Sequence, residues 1–222
     1  MEKLKSNLQN MVVVLVGVAV ICGGLLAYMN QLTKPAIDAQ AEKTLADGIK
    51  AVLAADEVTV AKTDTIKRDI DGKEQTFIVY RTDKGNAVQS TDPNGFGGNL
   101  TVLVGFDNEG TILGYTVLAH AETPGLGAKA PDWFQKPENG GASEKSSIVG
   151  KNPGNVNFTV SKDGGDIDAI TASTITSRAF LRAVQQAYNT VAENADADAA
   201  TGATKQAAGN ENEKEGNDNN NE

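Results

Sequence analysis

Ten residues from Asp168 to Ser177, D-A-I-T-A-S-T-I-T-S, carry five hydroxyl side chains: Thr171, Ser173, Thr174, Thr176 and Ser177. They stand just ahead of an amphipathic stretch. Hydroxyls at a helix start cap free backbone N–H groups. The same N–H groups and the positive end of the helix dipole also suit a phosphate, and small residues such as Ala172 and Ser173 let the backbone approach it. Spacing alone leaves capping and phosphate binding both open. A second candidate is Gly125-Leu126-Gly127-Ala128-Lys129-Ala130, which fits G-x-G-x-x-A after a predicted strand. A dinucleotide-binding turn needs a helix that begins at once. Pro131 interrupts such a helix and Pro124 precedes the motif, so it reads as a glycine-rich turn. The third candidate is His120, the single histidine, two residues before Glu122. The pair has the residue types of a general acid and base. No G-x-S-x-G nucleophile accompanies it, and a histidine that supports a loop is the plainer reading.

Composition narrows the chemistry. The chain has 222 residues, with one cysteine and one histidine. That excludes an intramolecular disulfide framework, a C-x-x-C thiolate site and a zinc site built from several histidines. No metal site is expected, and redox chemistry here needs an organic cofactor. A net charge of −9 is a poor match for a polyanion, so nucleic acid is not an expected partner. Most of that acidity lies from Ala192 onward, where eight acids face two lysines and no aromatic residue occurs. Such a stretch buries too little apolar surface to offset its ordering entropy and reads as disordered.

The elements that must position these residues begin at the N-terminus. Met11 to Met29, MVVVLVGVAVICGGLLAYM, is nineteen residues without a charge. As a helix it spans roughly 28 Å, close to the hydrocarbon thickness of a bilayer. Tyr28 sits where an interfacial aromatic belongs, and Lys3 and Lys5 before the run against Lys34 after it favour an N-terminus inside. The run is longer than the roughly 7–15-residue core of a cleaved signal peptide, so it reads as a retained anchor. The bulk of the chain is then extracytoplasmic. Ile37, Leu45, Ile49, Val52 and Leu53 have helical spacing, with Pro35 near the start of that helix. Thr76–Tyr80, Leu100–Phe106 and Thr111–Ala119 read as strands, the last two joined by the loop Asp107-Asn108-Glu109-Gly110. Asp92-Pro93-Asn94-Gly95 is a turn by composition. Residues 121–155 are rich in loops, and Asn157–Val160 reads as a further short strand. Thr176 to Val191 places Phe180, Leu181, Val184, Tyr188 and Val191 on one helix face, with Arg178, Arg182 and Gln185 elsewhere. The expected division is a cytoplasmic N-terminus (1–10), a transmembrane helix (11–29), an extracytoplasmic α+β domain with a membrane-proximal helix (30–191) and a disordered acidic tail (192–222).

Two separated blocks resemble the FMN-binding domain shared by the RnfG-type flavoproteins of the Rnf electron-transport complex and the related NqrC-type flavoproteins of the Nqr complex. One runs from Val104 to Lys129 and contains His120-Ala121-Glu122-Thr123-Pro124-Gly125-Leu126-Gly127, with Gly95-Phe96-Gly97-Gly98 upstream. The other is the Asp168–Ser177 block. Thr33-Lys34-Pro35-Ala36-Ile37, the short membrane segment and the overall length also resemble the RnfG type. The resemblance implies an antiparallel sheet with flanking helices that binds FMN. It further implies that a flavin transferase of the ApbE type joins FMN through its phosphate to a threonine.

The family pattern D-x-x-[ST]-G-A-[ST]-x-[ST] aligns Asp168 with the leading acid, Thr171 with the first hydroxyl, Thr174 with the acceptor and Thr176 with the trailing hydroxyl. Ile175 and Ser177 complete the block. Ala172 stands where the family has Gly, and Ser173 where it has Ala. The first change carries a penalty if that backbone takes a positive φ. The resemblance places Glu122, Thr123, Pro124, Gly125, Leu126, Gly127 and Lys129 beside the flavin. Leu126 is expected against the ring, with Thr123 and Lys129 setting hydrogen bonding and charge. His120 then supports the loop, and Trp133 and Phe134 shield the flavin or pack the core. Asp198-Ala199-Ala200-Thr201-Gly202-Ala203-Thr204 matches the acceptor pattern more literally, but in the predicted tail, where no walls for a ring are expected.

The implied function is electron transfer within a membrane-bound, ion-translocating oxidoreductase of the Rnf type. The other components of that complex and the flavin transferase are the implied partners, and no complete active site is expected in this chain alone. A flavoprotein of an Nqr-type quinone reductase and a membrane-anchored FMN redox sensor or binding module are the alternatives.

Overall fold

A computed structural model of the chain describes residues 8–55, 57–70 and 72–211. The first seven residues of the predicted cytoplasmic segment, and residues 212–222 of the predicted tail, lie outside that range. The chain divides into two units, one up to Ala46 and one from Asp47 onward.

The apolar run lies inside a single helix, α1 (Leu8–Val52). The side chains of the run, Met11 to Met29, are exposed on every side, Leu15 and Leu26 among them. A helix that is apolar all round and finds no protein to bury against is suited to lipid, and α1 is long and apolar enough to be a candidate membrane span. Pro35 lies within α1 rather than near the start of a separate helix. It removes one backbone donor, and the helix formers that follow (Ala36, Ala39, Gln40, Ala41, Glu42, Lys43) carry the helix on.

The last turn of α1 belongs to the second unit. It ends in a Schellman-type cap. Ala54 takes φ +50, the Ala55 N–H donates to the Lys50 carbonyl at 3.1 Å, and the Ala54 N–H donates to Ala51 at 3.3 Å.

Five strands follow: β1 (Val60–Ile70), β2 (Lys73–Thr82), β3 (Gly85–Asp92), β4 (Leu100–Phe106) and β5 (Ile112–Ala119). They pair in chain order as an antiparallel meander. The predicted strands at 76–80, 100–106 and 111–119 are present, and the loop 107–110 closes the β4–β5 hairpin. β1 and β3 escaped the sequence reading. β1 is an exposed edge strand of charged and polar residues, held by register with β2 and by cross-strand pairs such as Lys67–Glu74 and Arg81–Asp64. The expected strand at Asn157–Val160 reduces to one parallel bridge, Val160 to Ile167.

The sheet is covered on both faces. Val102, Val104 and Phe106 of β4 face a core shared with the long helix α3 (Thr174–Glu211), which supplies Phe180, Leu181, Val184 and Ala187. A short helix, α2 (Ala130–Trp133), lies in the loops between β5 and α3. Tyr115 meets Phe180 edge-on with ring centroids 5.0 Å apart, and Phe134 stacks on Phe180 at 4.4 Å. On the opposite face the end of α1 lies against β4 and β5. A Cβ on Gly105 would stand 2.2 Å from the Val52 carbonyl oxygen, so only glycine admits that helix end.

α3 does not stop near Val191, where the predicted tail begins, but runs to Glu211. Alanine at 192, 195, 197, 199, 200, 203, 207 and 208 gives that stretch the residue that forms helices best, which the charge-based reading underweighted. The literal acceptor match ending at Thr204 lies in this part of α3.

Candidate functional site

The start of α3 is held by contacts that reach across the loops. Val160 bridges Ile167, and the Ser161 N–H donates to the Ile167 carbonyl at 2.8 Å. Asp168 accepts the Ser161 hydroxyl at 2.7 Å, with the Lys145 ammonium at 3.4 Å. The Ser161 hydroxyl, then the Lys145 charge, holds the Asp168 carboxyl below the usual carboxylate range. The Trp133 indole donates to the Asp168 carbonyl at 3.2 Å. Ile170 is buried. After it the chain reverses: the Ser173 N–H donates to the Ile170 carbonyl at 2.9 Å, and Ala172 takes φ +60. The Ser177 hydroxyl accepts the Ile170 N–H at 2.9 Å and donates to the Ser173 carbonyl at 3.0 Å.

The five hydroxyls therefore have different duties. Ser177 ties the reversal to the helix. Thr176 is buried and donates to Glu122 Oε2 at 2.6 Å. Ser173 is buried and Thr171 is exposed. Thr174 is half-buried, with the Lys162 ammonium 3.5 Å from its oxygen.

Glu122 joins the two sequence blocks. It is only 6% exposed, and its other oxygen accepts the Gly97 N–H at 3.3 Å. A Cβ on Gly127 would stand 2.5 Å from Thr176 Oγ1 and 2.7 Å from Glu122 Oε2. Glycine there is what lets the loop close on the carboxylate. Pro124 and Gly125 (φ +76) form the turn that returns the Leu126 N–H to the Thr123 carbonyl at 3.2 Å. His120 Nδ1 accepts the Glu122 N–H at 3.3 Å, so the histidine supports this loop through its backbone.

These elements enclose a cleft of about 290 Å³. The first block contributes Glu122, Thr123, Leu126 and Gly127, and the second contributes Ala172, Ser173, Thr174, Ile175 and Thr176. Phe96, from the loop between β3 and β4, completes the lining. Phe96 (67% exposed), Leu126 (40%) and Ile175 (49%) are three of the four large exposed apolar residues outside α1 among the described residues. Their clustering on one rim marks a contact surface for a ligand. A cleft with apolar walls and a hydroxyl at the N-terminus of a long helix suits a molecule with a flat apolar body and an anionic tail.

Asp168, Thr171, Ser177, Pro124, Gly125 and Lys129 do not line the cleft. Asp168 and Ser177 brace the acceptor turn, Pro124 and Gly125 form the turn of the first block, and Thr171 and Lys129 are exposed. Phe134 is fully buried, and Trp133 spans to the Asp168 loop, so both pack and brace the domain. Tyr115 donates to the Ala130 and Pro131 carbonyls at 2.9 Å each, and burial pushes its phenol well above the ordinary value.

A family model for the FMN-binding domain matches residues 95–189, and one for the RnfG N-terminal region matches residues 1–52. The G component of the ion-translocating oxidoreductase complex of Shewanella baltica is 34% identical over 185 residues, covering 76% of this chain and 82% of its own. Those of Vibrio vulnificus (34% over 177 residues, 73% and 79%) and Salmonella typhi (35% over 176 residues, 74% and 81%) are similar to the same degree. The chain belongs to the RnfG family of ion-translocating oxidoreductase components.

In this RnfG family member, sequence reasoning misses three contributors to the site. Phe96 has a signal, an aromatic residue flanked by glycines in a turn region. Gly97 offers only a backbone N–H, and Lys162 is one lysine in a polar turn; neither is distinguishable without the contacts they make.

Proposed function

We propose that this chain is an electron-transfer component of a membrane-bound ion-translocating oxidoreductase complex and carries FMN joined through its phosphate to Thr174. The observation that carries the reading is the joining of two blocks about fifty residues apart into one cleft, with a half-buried threonine at its lip. The residues present fit both halves of FMN. Phe96, Leu126 and Ile175 offer apolar surface to the ring system. The first turn of α3 and Lys162 offer positive charge to the phosphate. At about 290 Å³ the cleft is near the lower end of the roughly 300–1,000 Å³ of ligand pockets, as befits a ring with one edge open to partners. When bound, the flavin supplies the redox chemistry. The chain's own residues orient it and shield one side from water.

α1 anchors the domain as a single pass through the cell's inner membrane, with the N-terminus cytoplasmic by the lysine bias and the folded unit extracytoplasmic. A covalent tether keeps a cofactor that would otherwise diffuse away at high local concentration. Maturation then requires a flavin transferase of the ApbE type, and the other components of the complex are the redox partners.

The test is co-expression with such a transferase, denaturation, and mass-spectrometric mapping of the flavin-bearing peptide in the unmutated chain, Thr174→Ala and Thr204→Ala. Covalent FMN lost in Thr174→Ala alone is the expected result. Loss in Thr204→Ala alone moves the linkage to the end of α3. A colourless unmutated chain, with the transferase active on a control substrate, overturns the covalent assignment.

A further inference from the structure

Three consecutive residues of the short turn Ser161–Asp163 each touch the acceptor block or the helix that follows it. Ser161 donates to Asp168 at 2.7 Å. Asp163 accepts two hydrogen bonds from the Arg178 guanidinium, both at 2.7 Å, one turn along α3 from Thr174. Between these two fixed points stands Lys162, with its ammonium 3.5 Å from the Thr174 hydroxyl. The turn is further stitched by the Val160–Ile167 bridge and by the Asp163 and Gly164 N–H groups, which donate to Val160 and Ser161. The surrounding cations are committed to carboxylates, Arg178 to Asp163 and Lys145 to Asp168. Lys162 has no carboxylate within ion-pairing distance among the described residues. An ammonium on a braced turn, aimed at a hydroxyl and left without a counter-charge, is arranged for an anion that arrives at that hydroxyl.

We infer that Lys162 is a positioning residue of the flavin site, whose ammonium holds the phosphate anion carried on Thr174. The inference rests on the Thr174 linkage proposed above. A phosphate joined to both riboflavin and threonine keeps one negative charge, and the three ammonium donors can follow its oxygens without a fixed fork geometry. Lys162 is exposed, so its replacement leaves the core intact, and the same exposure keeps the effect modest.

The experiment uses the full chain in detergent with a purified flavin transferase and a flavin dinucleotide as donor. The Thr174 oxygen then bonds to the FMN phosphorus as the pyrophosphate bond breaks, the nucleoside monophosphate leaves and the hydroxyl proton is released. The site of attachment is mapped first. The rate and final extent of covalent loading are then compared for the unmutated chain, Lys162→Met and Lys162→Arg, together with the melting temperature of each unloaded protein. Amine-reactive labelling of the unmutated chain, before and after loading, follows Lys162 against Lys129 and Lys145. The expected result is an unchanged melting temperature and loading about three- to tenfold slower in Lys162→Met. Recovery in Lys162→Arg to within about threefold is also expected, as is labelling of Lys162 alone slowed by a similar factor once flavin is attached. Flavin on Thr174, with Lys162→Met loading at the normal rate and Lys162 labelled as before, overturns the inference and leaves the linkage standing. Flavin found elsewhere or not at all overturns both.

Discussion

Ala172 offers a direct measure of backbone strain at the proposed acceptor loop. It and Ala54 are the non-glycine residues with positive φ among the described residues, at +60 and +50. The left-handed conformation costs an L-residue roughly 1–2 kcal/mol, which glycine avoids. Glycine also gives the unfolded chain more freedom, worth roughly 0.4–1 kcal/mol against folding. The methyl group of Ala172 is exposed at the cleft, so its removal leaves no cavity. Ala172→Gly should therefore stabilise the domain by about 0.5–1 kcal/mol, raising the melting temperature by about 2–3 °C for a domain of this size. Ala172→Val places a β-branched side chain at the same φ and should lower stability by about 1–2 kcal/mol. The assay is thermal unfolding of the unloaded full chain in detergent, followed by the emission of the single tryptophan, Trp133, whose indole is bonded to the Asp168 carbonyl. Ala54→Gly at the α1 cap, where the same arithmetic applies to a residue that does not line the cleft, is the control. A fall in melting temperature for Ala172→Gly, with a rise for Ala54→Gly, would refute the strain argument at the acceptor loop. The methyl group would then be making a contact that outweighs its conformational cost.

Gly127→Ala forces a Cβ to within 3 Å of both Thr176 Oγ1 and Glu122 Oε2. It should cost about 1–3 kcal/mol in chemical denaturation and reduce flavin loading. Arg182→Ala strips two hydrogen bonds, at 2.8 and 3.0 Å, from Asp92, whose side chain is 1% exposed. It should cost about 2–3 kcal/mol, below the full value for a buried pair because the arginine itself is partly solvated, and Arg182→Lys should recover only part of this. Acid should loosen the acceptor loop. Arg178 and Ser161 hold the Asp163 and Asp168 carboxyls below their ordinary values, so the unfolded chain binds more protons in that range. The stabilisation is fully present above about pH 5 and is lost as pH falls through the lowered folded-state values. Melting temperature measured between about pH 6 and 3 should decline, with a shallower decline in Asp163→Asn.

Several features were legible because their causes are local. A nineteen-residue uncharged run can satisfy its backbone in lipid only as a helix, so the candidate span follows from composition and length. The apolar face of Phe180, Leu181, Val184 and Tyr188 specifies α3, and two apolar runs rich in β-branched and aromatic residues on either side of a polar turn specify the β4–β5 hairpin. The two blocks that line the cleft carry their own residue patterns. Other features have causes that lie across the fold. β1 is charged and largely exposed, and it is a strand only because β2 pairs with it. Helix beyond Val191 follows from alanine content, which weighed less in the reading than the acids beside it.

The cleft itself is a tertiary product. The Glu122–Thr176 hydrogen bond joins residues 54 apart, and the Gly97 contact joins residues 25 apart. The Arg182 fork on Asp92 joins residues 90 apart. None of these pairings has a local signature, because a hydrogen bond is worth most where folding has already excluded water from both partners. The positive φ of Ala172 and the place of Lys162 over Thr174 belong to the same class. The sequence alone determined which residue types and which elements were available. Only the packing of loops against the sheet and α3 decided which hydroxyl remained at the lip of the cleft with a cation beside it.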